Sequence, residues 1–120
     1  MDNTVERIAA DFIRRYEAAW AKGAEMVAEL YTNDSVLVGY RTATGRCDII
    51  KLVYGIIAQG WTGIEIRAVN TRKIGDVILV VAEYTALSSG ANAGKTLNAT
   101  SSYVLVCVDG VWLVTLHTAR

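Results

Sequence analysis

At 120 residues the chain has the length of one domain, 1–120, and its 12 Lys and Arg balance its 12 Asp and Glu to a net charge of zero. That balance excludes the electrostatic footprint of a nucleic-acid binder or a polybasic membrane patch. No run reaches the roughly 18 apolar residues of a membrane span, and "MDNTVERIAADF" lacks the basic and apolar regions of a secretory signal. A soluble cytoplasmic protein is expected.

Hydrophobic residues make up 52% of the chain, and the mean hydropathy is +0.29. A domain this small has much surface for its volume. The apolar excess is therefore expected to line a cavity, to face a partner subunit, or both. Cys47 and Cys107 lie far apart, with no second Cys or His beside either. That spacing fits neither a metal motif nor a disulfide scaffold, and both thiols are expected to be reduced and packed.

In chain order, Val5, Ile8, Ala9, Phe12, Ile13, Tyr16, Ala19 and Trp20 form one helical stripe. Asn3 and Glu6 suit its N-terminal cap, and Gly23 suits its end. A short second helix is predicted from Ala24 to about Tyr31, with Met26, Val27, Leu30 and Tyr31 apolar. "TNDS" should then break the pattern before a strand at "VLVGY", and "RTATG" reads as a turn or short hairpin. A third helix is predicted from about Arg46 to Gln59, burying Ile49, Ile50, Leu52, Val53, Ile56 and Ile57, with Asp48 in its first turn and Gly60 at its end. Gly55 inside it costs about 1 kcal/mol relative to Ala, which points to a close backbone contact there.

From Trp61 the chain reads as strand, with hairpins at Gly75-Asp76 and Asp109-Gly110 and a looser connection at "SSGANAG". Helices grouped before an antiparallel run argue for an α+β fold. The strands are long: fourteen residues at about 3.3 Å each span about 46 Å, whereas a chain of this size has a radius of gyration of about 14 Å. A flat sheet would overhang, so the expectation is a curled sheet, a cone-shaped roll with three helices on its concave side. Ile78, Val80, Ala82 and Tyr84 share one strand face, yet Val77, Leu79 and Val81 on the other are also apolar. A sheet with one wet face should alternate, so a homodimer through the convex side is expected.

"RYEAAWAKGAEMVAELYTNDSVLVG", "TGRCDI" and "VCVDGVWLV" resemble the nuclear transport factor 2-like superfamily, in particular its SnoaL-like and ketosteroid-isomerase-like branch. The resemblance spans nearly the whole chain and implies the cystatin-like α+β roll. It says little of chemistry, because this scaffold hosts isomerases, cyclases, dehydratases and assembly domains. In the isomerases of the fold a tyrosine in an Arg-Tyr-x-Ala-Ala context donates to an oxyanion, and "RYEAA" puts Tyr16 there. The resemblance places the aspartate base at Gly39, which cannot move a proton. It places the second acid at or near Ser101, whose hydroxyl can still donate.

Read from the residues themselves, Tyr16 is either a core tyrosine or a pocket donor, since a buried hydroxyl needs a partner either way. Trp20 is either a wedge in the core or mouth, or a stacking surface for a ligand. His117, the one histidine, is either structural or a general base, being the one group that titrates near neutrality unaided. In "LNATSSY", Ala99, Ser101 and Tyr103 share a face that is either a bend or the floor of a cavity. Glu83 should pair with an arginine such as Arg67 on the opposite, dimer-facing side.

The expected catalytic candidates are thus Tyr16, His117 and Ser101. Trp20, Tyr31, Tyr40, Trp61, Ile78, Val80, Tyr84, Ala99 and Tyr103 are expected to line a small-molecule pocket. No nucleotide, zinc or nucleophile-elbow pattern is present in the sequence, so no metal or cofactor is expected. Two functions are in view: cofactor-free proton transfer on a mostly apolar metabolite, or a non-catalytic ligand-binding or oligomerisation module.

Overall fold

A computed structural model describes residues 4–90 and 93–119. The order is α1 (Thr4–Trp20), α2 (Ala24–Ala28), β1 (Tyr31–Val38), β2 (Thr42–Thr44), α3 (Arg46–Ala58), β3 (Trp61–Ile74), β4 (Val77–Ser88), β5 (Thr96–Val108) and β6 (Val111–Ala119). The six strands form one sheet in the order β2-β1-β6-β5-β4-β3. All neighbours are antiparallel except β1 and β6. The three helices pack on it as an α+β roll.

The helical stripe of α1 is buried at Ala9, Phe12, Ile13, Tyr16, Ala19 and Trp20, with Val5 and Ile8 packed at its edge. Asn3, expected as its cap, lies outside the described residues. In α3, Ile49, Leu52 and Val53 are buried, while Ile50, Ile56 and Ile57 are half-buried against the same core. At the last hairpin Asp109 and Gly110 have φ of 51° and 82°, the pair of positive values that a type I′ turn requires.

Three local expectations are corrected. The second helix ends at Ala28, and Tyr31 opens β1 instead. "TNDS" lies within β1 rather than before it: the parallel pairing jumps from Tyr31↔Val114 to Val36↔Leu116, so these residues form a bulge. The chain there bends without leaving the sheet. Cys47 and Cys107 are free but exposed, not packed. Cys47 stands off the Ile49–Leu52–Val53 stripe, and Cys107 lies at the end of β5, where residues 107–111 are all exposed.

Further register shifts occur between Trp61 and Gly63, between Ala68 and Asn70, and between Val104 and Leu105. Bulges increase twist and bend a strand. The long ribbons are accommodated partly by this curling and partly by elongation, since the molecule measures 46 × 28 × 22 Å with a radius of gyration of 13.9 Å.

The concave face carries Ile78, Val80, Ala82, Tyr103, Leu105 and Val114, all buried under the helices. On the other face the register aligns Leu79, Val104, Leu116 and Val36 in one apolar row, and Ile74, Val77, Val106 and Leu113 in a second. These rows are half-buried to exposed, with Ile74 54% and Leu116 39% exposed, and Val81 on the same face is 45% exposed. Arg67 and Glu83, cross-strand partners on this side, form an exposed ion pair. Among the described residues no helix is long and apolar enough to cross a membrane.

Candidate functional site

Between α1, α3 and the curved strands lies a cavity of about 490 Å³. Tyr16 and Trp20, one helical turn apart on α1, form part of its wall, with Val53, Ile56 and Gln59 from the α3 side. Trp61, Gly63, Ile64, Tyr84 and Ala86 line it from β3 and β4, Leu97 and Tyr103 from β5, and His117 and Ala119 from β6. Leu37, Gly39 and Tyr40 complete it. This lining contains no Asp, Glu, Lys or Arg. Two other hollows, of about 730 and 580 Å³, are more open and lie beside charged side chains such as Glu6, Arg14 and Arg67, or Glu65 and Glu83. The less open, mostly apolar recess with a few polar atoms is the better candidate for a ligand.

At one end of the recess the polar atoms converge. Tyr16 Oη is 2.7 Å from Tyr31 Oη, and Tyr31 Oη is 2.7 Å from His117 Nδ1. Tyr103 is the cross-strand partner of His117, and the two rings stack with centroids 4.3 Å apart. Phe12 and Tyr16 meet the Tyr103 ring edge-on. These contacts lock each ring and leave few alternative rotamers.

Tyr31 carries one hydroxyl hydrogen, so the chain has two arrangements. If Tyr31 donates to His117 Nδ1, then Tyr16 donates to Tyr31 and Nε2 carries the imidazole hydrogen. If Nδ1–H donates to Tyr31, Tyr31 donates to Tyr16, the Tyr16 hydroxyl is free to donate outward, and Nε2 is a bare acceptor. His117 Nε2 is buried without a hydrogen-bond partner, and Trp20 Nε1–H, near the Tyr16 hydroxyl, makes no bond of good geometry; both residues line the cavity. Such orphaned polar atoms are costly unless something meets them.

Burial sets the charge states. It pushes the His117 pKa down to about 3, so the imidazole is neutral throughout the ordinary pH range. Burial raises Tyr16, against smaller opposing effects of the Tyr31 hydroxyl and the nearby Trp20 N–H. Burial likewise holds Tyr31 well above its usual value, and Tyr103 is raised for the same reason. The cluster is an uncharged acid–base chain in a dry wall.

The expected site residues divide by position. Tyr16, His117, Trp20, Tyr40, Trp61, Tyr84 and Tyr103 all line the cavity. Tyr31 does not; it is fully buried behind the wall and bridges two residues that do. Ser101 also sits behind the wall, where its hydroxyl donates to Tyr103 Oη at 3.2 Å. Ile78 and Val80 are fully buried in the core and not part of the lining, and Ala99 borders the shallow hollow beside Glu83. Gln59, Leu97 and Ala119 were not singled out from sequence. Each falls at an element end, where periodicity carries little signal.

Gly39, where the resemblance placed the aspartate, does line the recess. A Cβ there would meet only the Arg41 carbonyl, at 3.9 Å. Space for a side chain exists; the side chain does not. At the mouth, Tyr40 is 67% exposed, and a Cβ at Gly55 would lie 3.3 Å from its hydroxyl. The close backbone contact expected at Gly55 is not there; the neighbour is the hydroxyl end of the Tyr40 side chain.

The roll of helices over a curved sheet defines the nuclear transport factor 2-like, cystatin-like class of fold. No protein-family model matches the chain, and no curated protein does. Solved structures share its fold. A cystatin-like domain of unknown function from Nostoc punctiforme superposes with a TM-score of 0.80 at 15% identity, covering 100% of this chain and 78% of that one. A nuclear transport factor 2-like protein of unknown function from Shewanella oneidensis gives 0.79 at 11%, covering 95% and 97%. A Catenulispora acidiphila protein with a ketosteroid isomerase-like fold, in complex with trimethylamine, gives 0.64 at 18%, covering 91% and 83%. At these identities the likeness concerns fold alone.

Proposed function

We propose that this protein binds an uncharged, mostly apolar small molecule in the cavity and catalyses a cofactor-free proton transfer on it, an isomerisation, cyclisation or dehydration. The observation that carries this reading is the Tyr16–Tyr31–His117 chain, whose two ends belong to cavity-lining residues. Tyr16 is the donor to a developing oxyanion, and His117 Nε2 is the proton acceptor. Trp20 Nε1–H supplies a second donor. The apolar walls select the body of the ligand. The uncharged lining disfavours a carboxylate or an amine, whose desolvation no counter-charge would offset.

The test is binding and turnover. Uncharged bicyclic ketones such as 1-tetralone are expected to raise the melting temperature of the wild type, and 1-naphthoate, a carboxylate of similar size, is not. Tyr16→Phe and His117→Ala, each checked for native circular dichroism, are expected to abolish turnover. If neither probe shifts the melting temperature, the pocket reading fails.

A second reading, a non-catalytic ligand-binding or oligomerisation module, is favoured by a different observation: the family's base position is Gly39. Both readings include a homodimer through the convex face of the sheet, supported by the two partly exposed apolar rows.

A further inference from the structure

We infer that the free edge of β3 is a docking site for an extended acidic segment of a partner protein, which adds to the sheet as a further strand. The site is separate from the cavity and from its chemistry. β3 ends the sheet order, and at 14 residues it is the longest strand. In an antiparallel pair, alternate residues turn their N–H and C=O groups toward the neighbouring strand, and those between turn them away. The Ile66 N–H turns away from β4, because it donates to a Glu17 carboxylate oxygen on α1 at 2.8 Å. The alternation puts Ala68 on the same outward side and, past the bulge between Ala68 and Asn70, Thr71 and Lys73. Among the described residues, only the Ile66 member of this outward set has a partner from outside the sheet.

This edge has a second wall beside it. An open hollow of about 730 Å³ lies between β3 and α1, lined by Glu6, Ala10, Ile13 and Glu17 on one side and by residues 66–71 on the other. From Glu6 to Glu17 the helix rises about 16 Å, and from Ile66 to Thr71 the strand spans about 16 Å. The two walls therefore match over the length of about five extended residues. A strand laid there turns one row of side chains toward Ala10 and Ile13 and the other toward the convex face. Strand addition works by this division: main-chain hydrogen bonds hold the segment, and alternate side chains select it.

Charge decides the occupant. Arg67 is paired with Glu83, and Arg14 with Asp11. Arg72 and Lys73 are exposed, and among the described residues neither belongs to an ion pair. A second copy of β3 paired over the stretch from Ala68 to Lys73 gathers Arg72 and Lys73 of both chains, and that stretch holds no carboxylate. Cations on an edge strand act against such self-pairing. An acidic strand meets them with opposite charge, which stabilises cross-strand neighbours. Arg72 pairs with Leu79 in register and so stands on the convex side, whereas Glu6 and Glu17 line the α1 side and repel acids there. The segment that fits alternates apolar residues toward α1 with acidic residues toward Arg72.

The test uses the fluorescein-labelled peptide Glu-Val-Glu-Val-Glu-Val-Glu, amidated at its C-terminus, with anisotropy as the readout at low salt. It is expected to bind the wild type. The same peptide with lysine for glutamate is expected to bind about tenfold or more weakly, and so is the original peptide to Arg72→Glu, checked for native circular dichroism. Adjacent residues of a strand turn their N–H groups to opposite edges. N-methylating only the valines or only the glutamates should therefore have unequal effects, one set losing about tenfold or more and the other staying within about threefold. Bound peptide should also slow amide hydrogen exchange at Ala68, Thr71 and Lys73. No saturable binding up to about millimolar peptide, or equal losses from the two methylated sets, overturns the proposal. Exchange at those amides that slows on raising the protein concentration alone puts a second copy on the edge and overturns it as well.

Discussion

Tyr31 Oη and His117 Nδ1 lie 2.7 Å apart although the residues are 86 positions apart in the chain. The contact joins the first residue of β1 to the end of β6, the one parallel pair in the sheet. It also fixes the histidine ring, so that whatever proton Nε2 carries is decided at Tyr31.

Tyr31→Phe should therefore cost stability as well as activity. It leaves a buried imidazole nitrogen and the Tyr16 hydroxyl each short of a partner, a penalty of about 1–3 kcal/mol. Tyr103→Phe leaves one buried group, the Ser101 hydroxyl, short of its acceptor and should cost less than Tyr31→Phe, about 1 kcal/mol. Urea unfolding of the two variants checks the order.

The buried histidine gives the fold an acid limit. Its folded pKa, about 3, lies below the unfolded value near 6.5, so between those values the unfolded chain binds a proton that the folded one refuses. The sign is a loss of stability as pH falls. The steepest slope contributed by this one group is about 1.4 kcal/mol per pH unit. Above pH 7 it contributes no slope. Asp48, held below its usual range chiefly by the Thr44 N–H, acts in the same direction at lower pH. Stability measured from pH 7 to 4 should fall in the wild type, and His117→Gln should flatten the profile. A profile unchanged by that substitution would falsify the assignment of the slope to His117.

Gly55→Ala should stabilise the protein. Helix propensity favours the change by about 1 kcal/mol, and the added methyl meets only the hydroxyl end of Tyr40. That side chain is exposed and free to move by the few tenths of an ångström required. The expected readout is a higher melting temperature with an altered cavity mouth.

The convex apolar rows predict self-association. With the wild type dimeric through this face, Val81→Lys or Leu116→Lys places a charge in the contact and should give a monomer by sedimentation, with the circular dichroism spectrum retained. A wild type that sediments as a monomer at micromolar concentration would remove the dimer from the reading. The Arg67–Glu83 pair is exposed, so replacing either residue should change stability by less than about 1 kcal/mol.

Periodicity in the chain determined much of this architecture unaided. The α1 stripe from Ala9 to Trp20, the inward parity of Ile78, Val80 and Tyr103, and the hairpin at Asp109-Gly110 are local patterns, and local backbone and burial rules dictate them. Tyr16, Trp20 and His117 were legible as candidates because few residue types donate, accept or stack as they do. Tertiary structure alone decided which residues they meet. Tyr31 read as the end of a helix and became the bridge between Tyr16 and His117. Ser101 and Ala99 shared the right face but fell behind or beside the recess, and Cys107 lay past the covered core. Alternation tells which side of a sheet a residue faces. It does not tell where bulges bend that sheet, and the bend decides which inward residues meet a hollow and which meet one another.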